Sequence, residues 1–287
     1  MSPVPPQAQP LGAVSVPMVQ LRALGMTYPG GAQALRCIDL ELEVGTFVAL
    51  LGPSGSGKST LLRCINLLVQ PSSGTVLSGG VPVSGRNLRQ HRLVTGMIFQ
   101  QHQLNPRQTV LQNVLNGRLG RHGWWRTLFP FPEADQRMAL HCLERVGLLH
   151  KALTRADQLS GGQQQRVGIA RALAQEPRII LADEPVASLD PAGARDFLEL
   201  LRGICKEDGI LVITSLHQVE LATTYADRVI GLREGVVVFD GPPSDLDSAA
   251  VQGLYGPPGA AVEWPTDQAS AASPTGLPPA LFTLARS

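Results

Sequence analysis

The chain has 287 residues, 44% of them hydrophobic and 16% charged, with a formal net charge of +1. That length suits one large domain or two small ones, and the hydrophobic share is ordinary for a globular core. A near-neutral chain carries no basic field, which argues against nucleic acid as its partner.

Residues 1–17 hold five prolines and lack both a basic start and an apolar core. They read as a disordered lead rather than a secretory signal. No run approaches the ~20 apolar residues needed to cross a bilayer. The expectation is therefore a soluble, cytoplasmic chain that meets a membrane only through a partner. Cys37, Cys64, Cys142 and Cys205 form no C-x-x-C pair. They read as small buried hydrophobes in a reducing compartment.

Segments 19–24 and 35–42 read as strands, separated by the turn-rich Tyr28-Pro29-Gly30-Gly31. The alternation in Asp39-Leu40-Glu41-Leu42-Glu43 predicts a half-buried antiparallel strand. The apolar run Phe47-Val48-Ala49-Leu50-Leu51 predicts a buried strand, and a helix is expected over 58–66. A hairpin follows over 74–83, turned at Ser78-Gly79-Gly80, and then a short strand at Met97-Ile98-Phe99. From 100 to about 157 the pattern turns helical, with helices expected over 109–116 and 133–146 and a third over 162–174. Trp124, Trp125, Phe129 and Phe131 crowd the stretch 117–132. They fit either the core of this helical part or an exposed dock for a partner. An α/β rhythm returns after it: a strand at 179–182, a helix at 191–206, a strand at 210–214, a helix ending at 225, and a hairpin of 229–233 with 236–240. Strand–helix alternation implies a mainly parallel sheet covered by helices. Beyond about Tyr255 the chain is rich in Pro, Ala, Ser and Gly and reads as a disordered tail.

Between the first buried strand and its helix lies Gly52-Pro53-Ser54-Gly55-Ser56-Gly57-Lys58-Ser59-Thr60, which fits G-x-x-x-x-G-K-[ST]. Glycines let the backbone curl so that N–H groups point at an anion, and the helix N-terminus aims its positive end at the same spot. Lys58 is placed to reach the β- and γ-phosphates of a nucleotide, and the Ser59 hydroxyl to ligate Mg²⁺. The apolar Ile179-Ile180-Leu181-Ala182 ends in Asp183-Glu184. Asp183 at a strand tip suits Mg²⁺, and Glu184 is placed to polarise water for attack on the γ-phosphate. Taken alone, two acids there could equally cap a helix. Leu159-Ser160-Gly161-Gly162-Gln163 is a Ser/Gly turn opening a helix, hence a second anion site or, alone, an ordinary Ser cap.

With Ser188-Leu189-Asp190 just beyond, this set resembles the nucleotide-binding subunit of ATP-binding cassette (ABC) transporters over about 19–245. The resemblance implies an α/β P-loop ATPase core with a mainly parallel sheet, an antiparallel β subdomain and an inserted helical subdomain. It places the ATPase domain at 18–255, the helical subdomain at about 101–175, the lead at 1–17 and the tail at 256–287. It makes Gly52 to Thr60 the Walker A loop, Gln100 the Q-loop residue (with Gln101 adjacent) that senses Mg²⁺ or the water, and Asp190 the D-loop acid. Leu159, Ser160, Gly161, Gly162 and Gln163 become the signature, His217 the switch that orients the water, and Tyr28 the aromatic that stacks on adenine. ATP would then be held between two copies in a head-to-tail homodimer. Two transmembrane permease subunits and, indirectly, a periplasmic solute-binding protein complete the implied assembly on the inner membrane. Phe99-Gln100-Gln101 with Asn105 and Arg107, the Trp124-Trp125-Arg126-Thr127-Leu128-Phe129 insertion and Leu216-His217-Gln218-Val219 are most similar to the ATPase subunit of phosphonate importers. Other solutes (phosphite, phosphate esters, polar amino acids), lipid export and a soluble cassette protein are the alternatives. A single cassette without zinc-type Cys pairs disfavours the last.

Overall fold

The computed structural model describes residues 16–99, 103–122 and 129–256. Gln100, Gln101, Trp124 and Trp125, nearly all of the Pro-rich lead and the tail beyond Gly256 lie outside the described residues. The chain runs through β1 (Val19–Thr27), β2 (Gln33–Leu42), β3 (Phe47–Leu51), α1 (Lys58–Ile65), β4 (Ser73–Ser78), β5 (Val81–Pro82), α2 (Leu88–Leu93) and β6 (Thr95–Ile98). Then come α3 (Val110–Leu115), α4 (Glu133–Arg145), α5 (Gly161–Leu173), β7 (Ile179–Ala182), α6 (Pro191–Asp208), β8 (Leu211–Ser215), α7 (Val219–Tyr225), β9 (Arg228–Arg233), β10 (Val236–Gly241) and α8 (Ser248–Tyr255). The described strands form two sheets, one antiparallel in the order β2-β1-β4-β5, the other in the order β10-β9-β3-β8-β7-β6. In the second sheet β9, β3, β8, β7 and β6 pair in parallel and only β10 is antiparallel.

Every residue of β3, β7 and β8 is buried, as expected of parallel strands covered on both faces. Their alternation divides the core. Phe47, Ala49 and Leu51 join Ile180, Ala182 and Val212 in one apolar cluster with the helices from α3 to α7. Val48 and Leu50 join Ile179, Leu181, Leu211 and Ile213 in another, shared with α1 and the antiparallel sheet. The parallel sheet is thus the middle layer, and its loops emerge between two different coverings. α6 shows how the outer layer attaches. Ala194, Phe197, Leu198, Leu201, Ile204 and Cys205 are its buried residues, spaced three and four apart. The helix stops at Gly209, which takes a left-handed φ of 64°.

Three expectations need correction. Cys37 is exposed, whereas Cys64, Cys142 and Cys205 are buried. A bulge is the reason: Leu24 pairs with Ile38 and Met26 with Leu35, so Arg36 and Cys37 both face outward on the edge strand, and Cys37 has a φ of 47°. The six-residue α2 was not foreseen, being too short to show a helical period. Neither was α8, which lies within the expected domain but beyond its last expected strand. Asp247 caps it by accepting from the Ala250 N–H at 2.7 Å, and Leu254 is wholly buried against Gly231.

On the first turn of α4 a buried carboxylate, Asp135, receives Arg118 Nε at 2.8 Å and lies 2.5 Å from His122 Nε2. Burial pushes this carboxyl up, but the Arg118 and His122 hydrogen bonds outweigh it and hold Asp135 below the usual carboxylate range. Of the four crowded aromatics, Phe131 packs on the main core and meets the His122 ring edge-on at 6.3 Å, while Phe129 is 61% exposed.

Two stability measurements follow from this packing. In urea denaturation Leu254→Ala is expected to cost about 2–5 kcal/mol, and an unchanged midpoint would show that α8 stands outside the cooperative unit. Because the folded Asp135 pKa is depressed, its contribution is full above the unfolded value of about 3.9 and is lost as pH falls through the folded one. Asp135→Asn should therefore flatten the acid limb of stability against pH; an unaltered limb would contradict this.

Candidate active site

Register lines up the strand ends. Leu50 pairs with Ser215 and Ala182 with Thr214, so β3, β8 and β7 finish level at one edge of the sheet. The loops leaving these carboxyl ends carry the candidate residues, where open α/β sheets favour a ligand site.

After β3 the backbone turns through Gly52, Gly55 and Gly57 with φ of 145°, 81° and 107°. A Cβ on Gly52 would lie 2.1 Å from the Leu232 carbonyl, and one on Gly57 2.6 Å from that of Ala34. Only glycine fits both places. α1 starts directly at Lys58 with no side-chain cap, leaving the loop itself at its positive end. Lys58 is 4% exposed, and its ammonium donates to the carbonyls of Gly52 at 2.7 Å and Pro53 at 3.1 Å. Burial pushes this ammonium below its ordinary value, against the pull of Glu184 and Asp183. An incoming polyanion would favour the charged form.

Ser59 donates its hydroxyl to Asp183 Oδ1 at 2.7 Å. Ser215 donates to the same oxygen at 3.1 Å and accepts the Glu184 N–H at 2.7 Å. Glu184 holds a left-handed φ of 47°, and its Oε1 lies 2.7 Å from His217 Nε2. His217 and Glu184 remain partly open to solvent, while Asp183 is buried. Half-buried Tyr28 reaches Thr60, hydroxyl to hydroxyl, at 3.2 Å. These contacts join Tyr28 to Thr60, Lys58 to the carbonyls of Gly52 and Pro53, Ser59 to Asp183 and His217 to Glu184.

Ser160 stands elsewhere. It caps α5 in a reciprocal box, its hydroxyl accepting from the Gln163 N–H at 3.3 Å while Gln163 Oε1 accepts from the Ser160 N–H at 3.2 Å. It lines a hollow with Gly162, Gln163, Leu189 and Gly193, walled by no residue of the phosphate loop. Leu159 is buried beneath it and Gly161 opens the helix. Asp190 sits at the N-cap of α6 without a side-chain cap bond.

Sequence reasoning missed three contacts. Gln165, buried, donates to the Pro185 carbonyl at 2.7 Å, tying the signature helix to the segment after Glu184. Tyr255 accepts the Gly52 N–H at 3.2 Å, a contact across 203 residues with no local signal. Ser215 lies in a strand otherwise read for its apolar residues.

The oxygen donors Ser59 and Asp183 fit a hard divalent cation. Among the described residues no group of three or more His, Cys, Asp or Glu could hold a metal. A cation at this point would take its remaining ligands from water and phosphate, which is how Mg²⁺ binds.

Fold and site together define a P-loop nucleotide hydrolase with a separate signature turn. The profile of the family described as "ABC transporter" matches residues 35–187. The chain is 58% identical over 241 residues to the phosphonates import ATP-binding protein PhnC 3 of Nostoc sp., covering 83% of this chain and 92% of that one. It is 59% identical over 239 residues to the phosphite import ATP-binding protein PxtA of Stutzerimonas stutzeri, covering 83% and 87%. Among solved structures, cbiO1 of Clostridium perfringens superposes with a TM-score of 0.72 at 32% identity, covering 80% and 90%. The ATP-binding cassette MJ0796, in a dimeric post-hydrolysis state with ADP and Pi, superposes at 0.69 and 36%, covering 79% and 99%. The chain belongs to the ABC transporter family, as an ATP-binding subunit, and it is an ATPase.

Charge-assisted hydrogen bonds are worth about 1.5–3 kcal/mol. Lys58→Ala should therefore weaken ATP binding about 10- to 100-fold in a fluorescence titration; unchanged affinity would remove Lys58 from the site.

Proposed function

We propose that the chain is the ATP-hydrolysing subunit of an importer for phosphonates, seated on the cytoplasmic face of the inner membrane. Two permease subunits would span the membrane, and a periplasmic solute-binding protein would deliver the solute. The observation that carries the chemistry is the pair of 2.7 Å contacts, Ser59 to Asp183 and His217 to Glu184, at neighbouring strand ends. The first sets two oxygens side by side beneath the phosphate loop. The second orients the one carboxylate that stays accessible there.

In this reading Tyr28 stacks on adenine, the amides from Gly52 to Thr60 enclose the phosphates, and Lys58 turns from its loop carbonyls to the β- and γ-phosphates. Ser59 and Asp183 would hold Mg²⁺, joined by Gln100; bound there, the cation supplies charge neutralisation at the phosphates. Glu184 accepts the proton of the attacking water, and His217 holds Glu184 and the water in line. The signature turn of a second copy, through Ser160, Gly161, Gly162 and Gln163, closes over the γ-phosphate and excludes water, with Asp190 at the seam. In this reading that half of the site comes from a partner, which is supported by the hollow that Ser160 lines without any residue of the phosphate loop.

Solute choice lies outside this subunit, since none of these residues meets the cargo. The phosphonate assignment rests on the names of the relatives, and phosphite, named for one of them, is the specific competitor. A permease dock is supported by a cavity of about 460 Å³ between α2 and the stretch after α3, lined by Leu88, Arg89, Arg92, Leu93, Gly117 and Arg121.

Glu184→Gln should bind ATP normally and keep its ATP-bound dimer in size-exclusion chromatography. Its turnover should fall about 100-fold or more. Near-normal hydrolysis would sink the role of Glu184. Cells carrying the cognate permease should take up radiolabelled phosphonate with the wild-type chain and none with this variant. Uptake of phosphite alone would move the solute.

A further inference from the structure

We infer that Ser215 is a positioning residue for ATP hydrolysis, its buried hydroxyl fixing Asp183 and the backbone of Glu184 relative to each other. The inference rests on the roles proposed above for those two acids.

Ser215 ends β8, the strand lying between the one that leads to the phosphate loop and the one that ends at Asp183. It shares the face of Leu211 and Ile213, which pack against α1 in one apolar cluster. A hydroxyl with no exposure at such a position is costly unless bonded. Thr214, its neighbour on the other face, has an Oγ1 with no partner. Ser215 instead makes two bonds, both to the acid pair.

The backbone pattern gives those bonds their consequence. The β6–β7 ladder reaches Asp183, whose N–H donates to the Ile98 carbonyl at 3.0 Å, and stops there. The next N–H, that of Glu184, turns to β8 and finds a side-chain oxygen. This happens where Glu184 adopts a left-handed φ of 47°, a conformation that L-residues hold only when surroundings support it. One hydroxyl therefore serves two purposes: it accepts from Glu184, which sets the direction of that side chain toward His217, and it donates to Asp183 Oδ1. Ser59 donates to the same oxygen. When Ser59 is engaged by the cation, Ser215 remains the hydroxyl donor on Asp183 Oδ1, while the Arg63 guanidinium stands 3.7 Å from the other carboxylate oxygen.

The test uses purified full-length chain with Ser215→Ala and Ser215→Thr, measuring steady-state ATPase, melting temperature and binding of a fluorescent ATP analogue with EDTA or with Mg²⁺. In Ser215→Ala, kcat should fall about 10- to 100-fold, as misplacement of a catalytic group does. Affinity in EDTA should stay within about twofold, and the gain in affinity on adding Mg²⁺ should shrink. Ser215→Thr keeps the hydroxyl and should recover most of the kcat and of the Mg²⁺ response. A wild-type kcat and Mg²⁺ response in Ser215→Ala overturns the inference. So does a parallel loss of EDTA binding and melting temperature, which marks a merely structural role, or an equal loss of kcat in Ser215→Thr. Glu184→Gln run alongside separates the two levels: normal turnover there defeats the underlying reading, whereas an inactive Glu184→Gln with an active Ser215→Ala defeats only this one.

Discussion

Asp183 Oδ1 takes two hydroxyl hydrogens, from Ser59 on the first turn of α1 and from Ser215 at the tip of β8. Asp183 itself follows β7, so this single oxygen binds together three segments that are far apart in sequence. The parallel core exists to bring them level. Its continuous apolar strands are satisfied only when both faces are covered, and the helices on one side and the antiparallel sheet on the other do that. With the strand ends fixed in register, a phosphate loop without side chains at Gly52 and Gly57 can curl beside two carboxylates without collapsing onto them. Lys58 bridges the remaining gap by folding back on the loop carbonyls.

The same geometry supports the proposal that a second copy completes the site. The signature turn is a finished helix cap in its own right, its hydroxyl and amide satisfied by Gln163, and the hollow it lines includes no residue of Gly52 to Thr60. Gln165 ties that helix to the Pro185 carbonyl. The segment after Glu184 is thereby joined to the surface that a second copy would meet. Under the proposed dimer, Glu184, Pro185 and the turn to Asp190 would form a short covalent and hydrogen-bonded route from the nucleotide to the second copy.

Much of this was legible in the sequence because it was local. The phosphate loop announces itself through glycine spacing between an apolar run and a helix. The acid pair ends a four-residue apolar strand, and the Ser160 cap lies within a five-residue Ser/Gly turn. What sequence could not carry is pairing. The bulge that exposes Cys37 comes from how β1 meets β2. The Tyr255 bond to Gly52 spans nearly the whole described chain. Ser215 looks like any polar residue at the end of a strand until β7 is laid beside it. α2 and α8 are too short for periodicity to mark them, and they are held by tertiary packing rather than by propensity.

The central claim is that one functional site needs the phosphate loop of one copy and the signature turn of another. Mixing two inactive chains, one with Lys58→Ala and one with Ser160→Arg, tests it directly through ATP hydrolysis. Each variant alone carries a fault in both sites of its own dimer. In the mixed dimer one site joins an intact Lys58 to an intact Ser160 across the seam, so the account predicts that activity returns on mixing. If the loop and the signature worked within a single chain, neither partner could supply what the other lacks. A mixture as inactive as its components would then contradict the account.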